Sequence, residues 1–163
     1  MKRRTLLLLR HAKSSWDDAG LPDAQRALAA RGRRAAPKMG RRLARHGLHP
    51  DVIITSPARR AVQTVRLLAK PLAYRRARIR VDRRLYEAGP AQLARVVRAL
   101  AARHEQVLLC GHNPGLLQFA RRFAPQLQRL PTCAVVELRF QARDWRSITR
   151  ERMTRVICRC PRR

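Results

Sequence analysis

Leu6-Leu7-Leu8-Leu9-Arg10-His11-Ala12-Lys13 is the stretch that decides the fold. An apolar run of strand length ends in a guanidinium and an imidazole. Consecutive leucines leave no polar face, the pattern of a strand buried on both sides in a parallel sheet covered by helices. On such a strand Arg10 and His11 stand at the carboxyl end, where open α/β sheets place their ligand sites. A neutral imidazole beside a guanidinium suits attack on a phosphoryl group. The arginine holds the anion while the histidine supplies a lone pair.

Outward from this strand, elements alternate. Residues 5–9 read as strand. Residues 29–46 read as helix, with Leu28, Met39 and Leu43 on its apolar side and Gly47 as its stop; Pro37 within it predicts a kink or a later start. Residues 51–55 form a second strand, and Pro57 opens a helix that reaches Ala69 and closes before Pro71. Ile79 and Val81 mark a short strand. Residues 90–102 are helical, with Leu93, Val96, Val97 and Leu100 on one face. Residues 106–110 are a buried strand, and Pro114 opens a helix toward Phe123. Strand pattern returns at 133–140 and 153–158, leaving 158–163 as a basic tail. Strands alternating with helices predict an α/β fold of three layers, α/β/α, around a mainly parallel central sheet. The loop 12–22, with Trp16, Asp17 and Asp18, is either the rim of a site or a surface turn.

A chain of 163 residues fits a single domain, 1–163, able to bury a real core. No apolar run approaches the roughly 20 residues that span a bilayer. Met1-Lys2-Arg3-Arg4 before the leucines imitates a secretion signal, but the apolar part is too short and runs into Arg10 and His11. The expectation is a soluble cytoplasmic protein, with no membrane partner. Cys110 and Cys133 lie in apolar runs as buried thiols. Cys158 and Cys160 resemble half a metal site that nothing completes, so neither a structural metal nor a cofactor is expected.

The formal net charge is +28, almost all of it arginine. Such a polycation binds nucleic acid nonspecifically at low salt. The arginines are spread from end to end, however, with few aromatics between them to stack bases, which favours a solvated surface over a dedicated nucleic-acid protein. The same field draws in anionic substrates.

Polar groups interrupt the α/β pattern at four strand ends. The first is Arg10-His11. The second, Thr55-Ser56-Pro57-Ala58-Arg59-Arg60-Ala61-Val62-Gln63-Thr64, sets Arg60 in the first turns of a helix, where the macrodipole favours an anion. The third is Leu85-Tyr86-Glu87-Ala88-Gly89, a carboxylate after the weak strand. The fourth, Cys110-Gly111-His112-Asn113-Pro114-Gly115, turns sharply with an imidazole at its apex, a poor place for a core residue. Taken singly, Arg60 reads equally as a solvated arginine and Glu87 as the partner of a nearby arginine. His46, His49 and His104 read as surface residues.

Together these segments resemble the histidine phosphatase superfamily, with its phosphoglycerate mutase-like fold. The string Leu9-Arg10-His11-Ala12-Lys13-Ser14-Ser15-Trp16 is most similar to the small SixA-type phosphohistidine phosphatases, Ala12 standing where the wider family has glycine. Ser56-Pro57 with Arg60-Ala61 and Gln63-Thr64 is similar to the family's second phosphate-binding segment, and Gly111-His112-Asn113-Pro114 to its second-histidine segment. The resemblance implies a metal- and cofactor-independent phosphatase. His11 would be the nucleophile, forming a phosphohistidine intermediate. Arg10, Arg60 and His112 would clamp the phosphoryl oxygens, with Lys13 and Asn113 lining the pocket. Glu87 is the candidate general acid. Arg59 neighbours the matching position and is left out. Two arginines and a histidine are a sensible cage for the equatorial oxygens of a transferring phosphoryl group. His11 must be neutral to attack, and the surrounding cations are expected to depress its pKa.

The expected substrate is protein phosphohistidine on a histidine-containing signalling partner. The short connection from Arg60 to Glu87 has little room for an insertion that would cap the pocket. A phosphatase for a small phosphomonoester or a nucleotide-type substrate is the alternative. A mutase fits less well, because it must hold and reorient its intermediate in a closed pocket. The reading from a different class is an arginine-rich nucleic-acid-binding protein on an inactive phosphatase scaffold. Oligomeric state is not legible.

Overall fold

The computed structural model describes residues 1–162; Arg163, the end of the expected basic tail, lies outside the described residues. A six-stranded sheet in the order β3-β2-β4-β1-β5-β6 carries helices on both faces. The strands are β1 (Lys2–Arg10), β2 (Val52–Thr55), β3 (Arg80–Val81), β4 (Gln106–Gly111), β5 (Val135–Ala142) and β6 (Met153–Arg159). The helices are α1 (Ala30–Arg45), α2 (Arg59–Ala69), α3 (Pro90–Arg98) and α4 (Gly115–Phe123). β1, β2, β3 and β4 run parallel, while β5 pairs antiparallel with both β1 and β6. This is the mainly parallel three-layer α/β architecture, in which β5 alone of the described strands runs against the others.

The four leucines of β1 divide between two cores. Leu6 and Leu8 pack with Val96, Val97, Leu116 and Phe119 under α3 and α4. Leu7 and Leu9 pack with Met39, Leu43, Val65 and Leu68 under α1 and α2. Alternation along a strand sends successive side chains to opposite faces, so a run with no polar member needs a helix layer on each side. Cys110 and Cys133 are buried free thiols, as expected.

Several boundaries differ from the sequence reading. α1 neither starts late nor stops at Pro37; it runs through the proline, whose position leaves the Arg33 carbonyl without its usual intrahelical donor. α3 ends at Arg98, short of the expected 102. The basic tail does not begin at 158, because Cys158 and Arg159 close β6 and the buried Arg159 pairs with the fully buried Glu137. His104 is buried, not surface: its carbonyl accepts from the Arg4 guanidinium at 2.9 Å and from Trp145 Nε1 at 2.8 Å. Arg4, one of the cations ahead of the leucine run, is itself buried among the carbonyls of Ala102, Ala142, His104 and Arg143. Among the described residues, no helix is long and apolar enough to cross a membrane.

Candidate active site

Strand register assembles the site. β1 and β4 lie side by side with Arg10 opposite Gly111, so the next residue of each strand is a histidine. The rings of His11 and His112 stand 5.1 Å apart, centroid to centroid. β2 joins the other side of β4 with Thr55 opposite Cys110, which delivers Ser56 to the same end of the sheet. Three parallel strands thus release their polar residues at one edge, as open parallel sheets do.

His11 is buried, and its Nδ1 lies 2.8 Å from the Ala12 carbonyl oxygen. A carbonyl only accepts, so Nδ1 carries the proton and Nε2 keeps its lone pair. That lone pair faces Arg60, whose Nε donates to it across 3.4 Å. The His11 pKa is lowered to about 4, first by burial and then by Arg60, Arg10 and Arg26, against the Ala12 contact. The sequence reading credited the cations; burial is the larger cause. Ala12 has a packing role of its own, since it is fully buried and its N–H donates to Thr64 Oγ1 at 2.9 Å.

Arg60 is the hub. Besides His11, its Nη2 lies 3.4 Å from His112 Nδ1, its Nη1 donates to the Asp23 carbonyl at 2.8 Å, and Nη2 pairs with Asp23 Oδ2 at 3.0 Å. A guanidinium can only donate, so His112 Nδ1 is the acceptor here. The His112 proton then sits on Nε2 and is donated to Ser56 Oγ at 2.7 Å. The His112 pKa is lowered to about 3, by burial first and then by His11 and Arg60, with Asp23 opposing. The site therefore holds two neutral imidazoles, each with a lone pair turned toward Arg60.

Asp23 is the residue that sequence reasoning missed. It opens a short 3-10 turn, Asp23–Gln25, on the loop after β1, and its Oδ2 also accepts from the Tyr86 hydroxyl at 2.6 Å. Tyr86 and Arg60 hold its pKa down to about 2. The only sequence signal was position: an acidic residue in a chain with few of them, directly after the loop 12–22 read as a possible rim. Arg26 supports it, bonding Asp23 Oδ1, Ser14 Oγ and the Ser15 carbonyl at 3.3, 2.7 and 3.1 Å.

The other expected residues divide. Arg10 is half-buried, donates Nη1 to the Leu130 carbonyl at 3.1 Å and keeps Nε without a partner. Asn113 donates Nδ2 to the same carbonyl at 2.9 Å, and its Oδ1 is likewise unpartnered. A cleft of about 300 Å³ opens between Asp23, Arg60, Glu87, His112, Asn113 and Gln118. Glu87 is exposed on its rim, with φ +53°, in the left-handed region that non-glycine residues seldom occupy. Lys13 departs from expectation: it is exposed, and its carbonyl turns back to accept from Ala29 N at 2.9 Å. No contact ties its ammonium to the cleft among the described residues. Arg59, left out above, is exposed.

Gly115 sets the cleft's width. A Cβ there would meet the Ala88 carbonyl oxygen at 1.8 Å, so only glycine lets the start of α4 approach the Glu87 turn. Among the described residues, no group of three or more His, Cys, Asp or Glu side chains could hold a metal ion.

Comparison with known proteins identifies the family. Residues 6–92 match the model of the Histidine phosphatase superfamily (branch 1). An uncharacterized chloroplastic protein of Arabidopsis thaliana is 29% identical over 150 residues, covering 87% of this chain and 69% of that protein. A structure from Nakamurella multipartitia assigned as the phosphohistidine phosphatase SixA superposes with a TM-score of 0.84 at 22% identity, covering 99% of this chain and 98% of that one. The protein histidine phosphatase SixA complexed with tungstate superposes with a TM-score of 0.76 at 18% identity, covering 94% and 96%. With that family matched over 87 of its 163 residues, the chain belongs to the histidine phosphatase superfamily and is a phosphatase of that family.

Proposed function

We propose that the enzyme removes phosphate from protein phosphohistidine through a covalent intermediate on His11. The supporting observation is the pair of contacts on His11. With Nδ1–H donated to Ala12, the Nε2 lone pair is held toward the Arg60 guanidinium, where a phosphoryl group would sit. Attack by Nε2 forms a P–N bond as the bond from phosphorus to the substrate imidazole breaks, and the departing imidazole takes up a proton. Water then attacks phosphorus, the bond to His11 breaks, and orthophosphate leaves with His11 neutral again.

Arg60 and Arg10 neutralise the equatorial oxygens, Arg10 through its unpartnered Nε and Arg60 by exchanging its Asp23 contacts for phosphate. Asn113 lines the cleft as a polar contact. His112 meets the phosphoryl group with Nδ1 and reports through Nε2 to Ser56. Glu87, on the rim, is the candidate donor of the leaving-group proton. No substrate-binding role is assigned to Lys13.

Macromolecular substrate is favoured by the openness of the cleft. Between α2 and Glu87 the chain spends its residues on a short 3-10 turn (Arg76–Arg78), β3 and another such turn (Arg83–Leu85), none of which forms a cap. The reading takes residues 1–163 as one domain and a phosphorylated histidine-containing signalling protein as its partner.

Phosphoenzyme trapping tests it. Offered a phosphohistidine-bearing donor domain, the parent protein should take up an acid-labile, alkali-stable label and release phosphate from the donor, and His11→Ala should do neither. An untouched donor alongside rapid turnover of small phosphomonoesters would overturn the substrate assignment in favour of the small-substrate alternative.

A further inference from the structure

The arginines run from end to end of the chain, and one helix aligns its share on a single face. Helix α1 carries Arg31, Arg33, Arg34, Lys38, Arg41, Arg42 and Arg45 in 16 residues, with no acidic residue. Its first turn holds Arg31 and Arg33 and no acid, against the macrodipole, which disfavours cations at a helix N-terminus. None of the ion pairs among the described residues involves an α1 side chain. Arg33 donates Nη1 to the Leu28 carbonyl at 2.7 Å and Arg42 to the Cys160 carbonyl, but no carboxylate balances the helix, and an exception to local electrostatic preference is the kind that function explains.

The spacing is ordered. Arg31, Arg34, Lys38, Arg42 and Arg45 follow one another at three- and four-residue steps, which puts them on one face at intervals of about 5–6 Å. The stripe runs about 21 Å along the helix axis. It does not lie on a convex surface. Pro161 and Arg162 stand across from it, and two adjoining hollows, of about 180 and 550 Å³, lie between. Arg42 anchors the far wall by donating Nη1 to the Cys160 carbonyl, and its buried Nε has no partner. Arg162 and Arg159 crowd Arg42 and, after burial, lower its pKa.

We propose that this groove binds the phosphodiester backbone of a nucleic acid through charge, without base stacking, independently of the phosphatase site. Five cationic side chains along a trough match a chain of recurring negative charges. Arginine forks suit phosphate oxygens bidentately. A membrane surface fits less well, because the exposed large apolar residues are Met1, Trp16 and Val81, none of them on α1.

The test separates a site from a diffuse field. Arg31→Glu/Arg34→Glu/Lys38→Glu alters the stripe. Arg75→Glu/Arg76→Glu/Arg78→Glu makes the same change in net charge on exposed residues elsewhere. Binding of a fluorescent 20-nucleotide single-stranded RNA, and of DNA of equal length, is followed from 50 to 200 mM salt. Thermal melts and turnover of a small phosphate ester should be unchanged in both variants. The stripe variant should lose affinity more than tenfold, with a log–log salt slope shallower by about 2. The control should lose less than threefold. Equal losses in the two variants would overturn the proposal. So would binding of anionic vesicles or inorganic polyphosphate without binding of either oligonucleotide.

Discussion

Asp23 Oδ2 lies 3.0 Å from Arg60 Nη2, so the cation expected to clamp the phosphoryl group is held by a carboxylate from the loop after β1. The pairing positions Arg60, and it also occupies a donor that phosphate needs. Asp23→Ala removes both effects, while the bond from Arg60 Nη1 to the residue 23 carbonyl survives. The kcat should fall about tenfold, and inorganic phosphate should inhibit at no higher concentration than in the parent. Steady-state kinetics with phosphate inhibition checks this. Weaker inhibition would mean that Asp23 serves phosphate binding and not only Arg60.

His112 gives the site a proton requirement. Its pKa, lowered to about 3, leaves it neutral near pH 7 with a lone pair on the atom proposed to meet phosphate. Two lone pairs cannot face each other, so bound phosphate shares a proton with Nδ1. Above the second ionisation of phosphate that proton comes from solution. Phosphate inhibition should then weaken about tenfold per pH unit, and His112→Asn should flatten the slope. A flat profile in the parent would show that the dianion binds unaided.

Glu87 stands on the cleft rim, and its demand depends on the leaving group. An alkoxide needs a proton far more than an imidazole does. Glu87→Gln should therefore lower turnover of alkyl phosphates by at least tenfold, and of phosphohistidine by much less. Equal effects on both substrates would remove it as a leaving-group acid.

Gly115→Ala tests the packing that sets the cleft. Its methyl group would overlap the Ala88 carbonyl, which must move and take the Glu87 turn with it. Overpacking of this kind costs about 1–3 kcal/mol, or roughly 3–10 °C in Tm for a chain of this size. Turnover should fall as well, and a variant that melts and turns over as the parent does would contradict the tight approach.

Periodicity made the layers legible. An unbroken leucine run fits a strand between two helix layers, so β1 was legible at residues 6–9, and the α/β class followed from the alternation of strands and helices. Element ends were less legible, because they answer to partners. β6 reaches Arg159 since Glu137 on β5 offers it a buried carboxylate. α1 runs through Pro37 because Met39, Gly40 and Leu43, beyond it, are buried against the sheet and α2. His104 looked like a surface residue, yet it is buried, with its carbonyl accepting from the distant Arg4 and Trp145.

By itself the sequence determined the fold class, the order of strands and helices, and which histidines and arginines stand at strand ends; these depend on local pattern and residue type. Tertiary structure decided the rest. That His11 and His112 face each other is a matter of register between strands about a hundred residues apart. That Asp23 governs Arg60, that burial outweighs charge at His11, and that Lys13 leaves the cleft all depend on which groups distant segments bring together. Coulomb energy, desolvation and hydrogen bonding act through space, and no spacing along the chain records those distances.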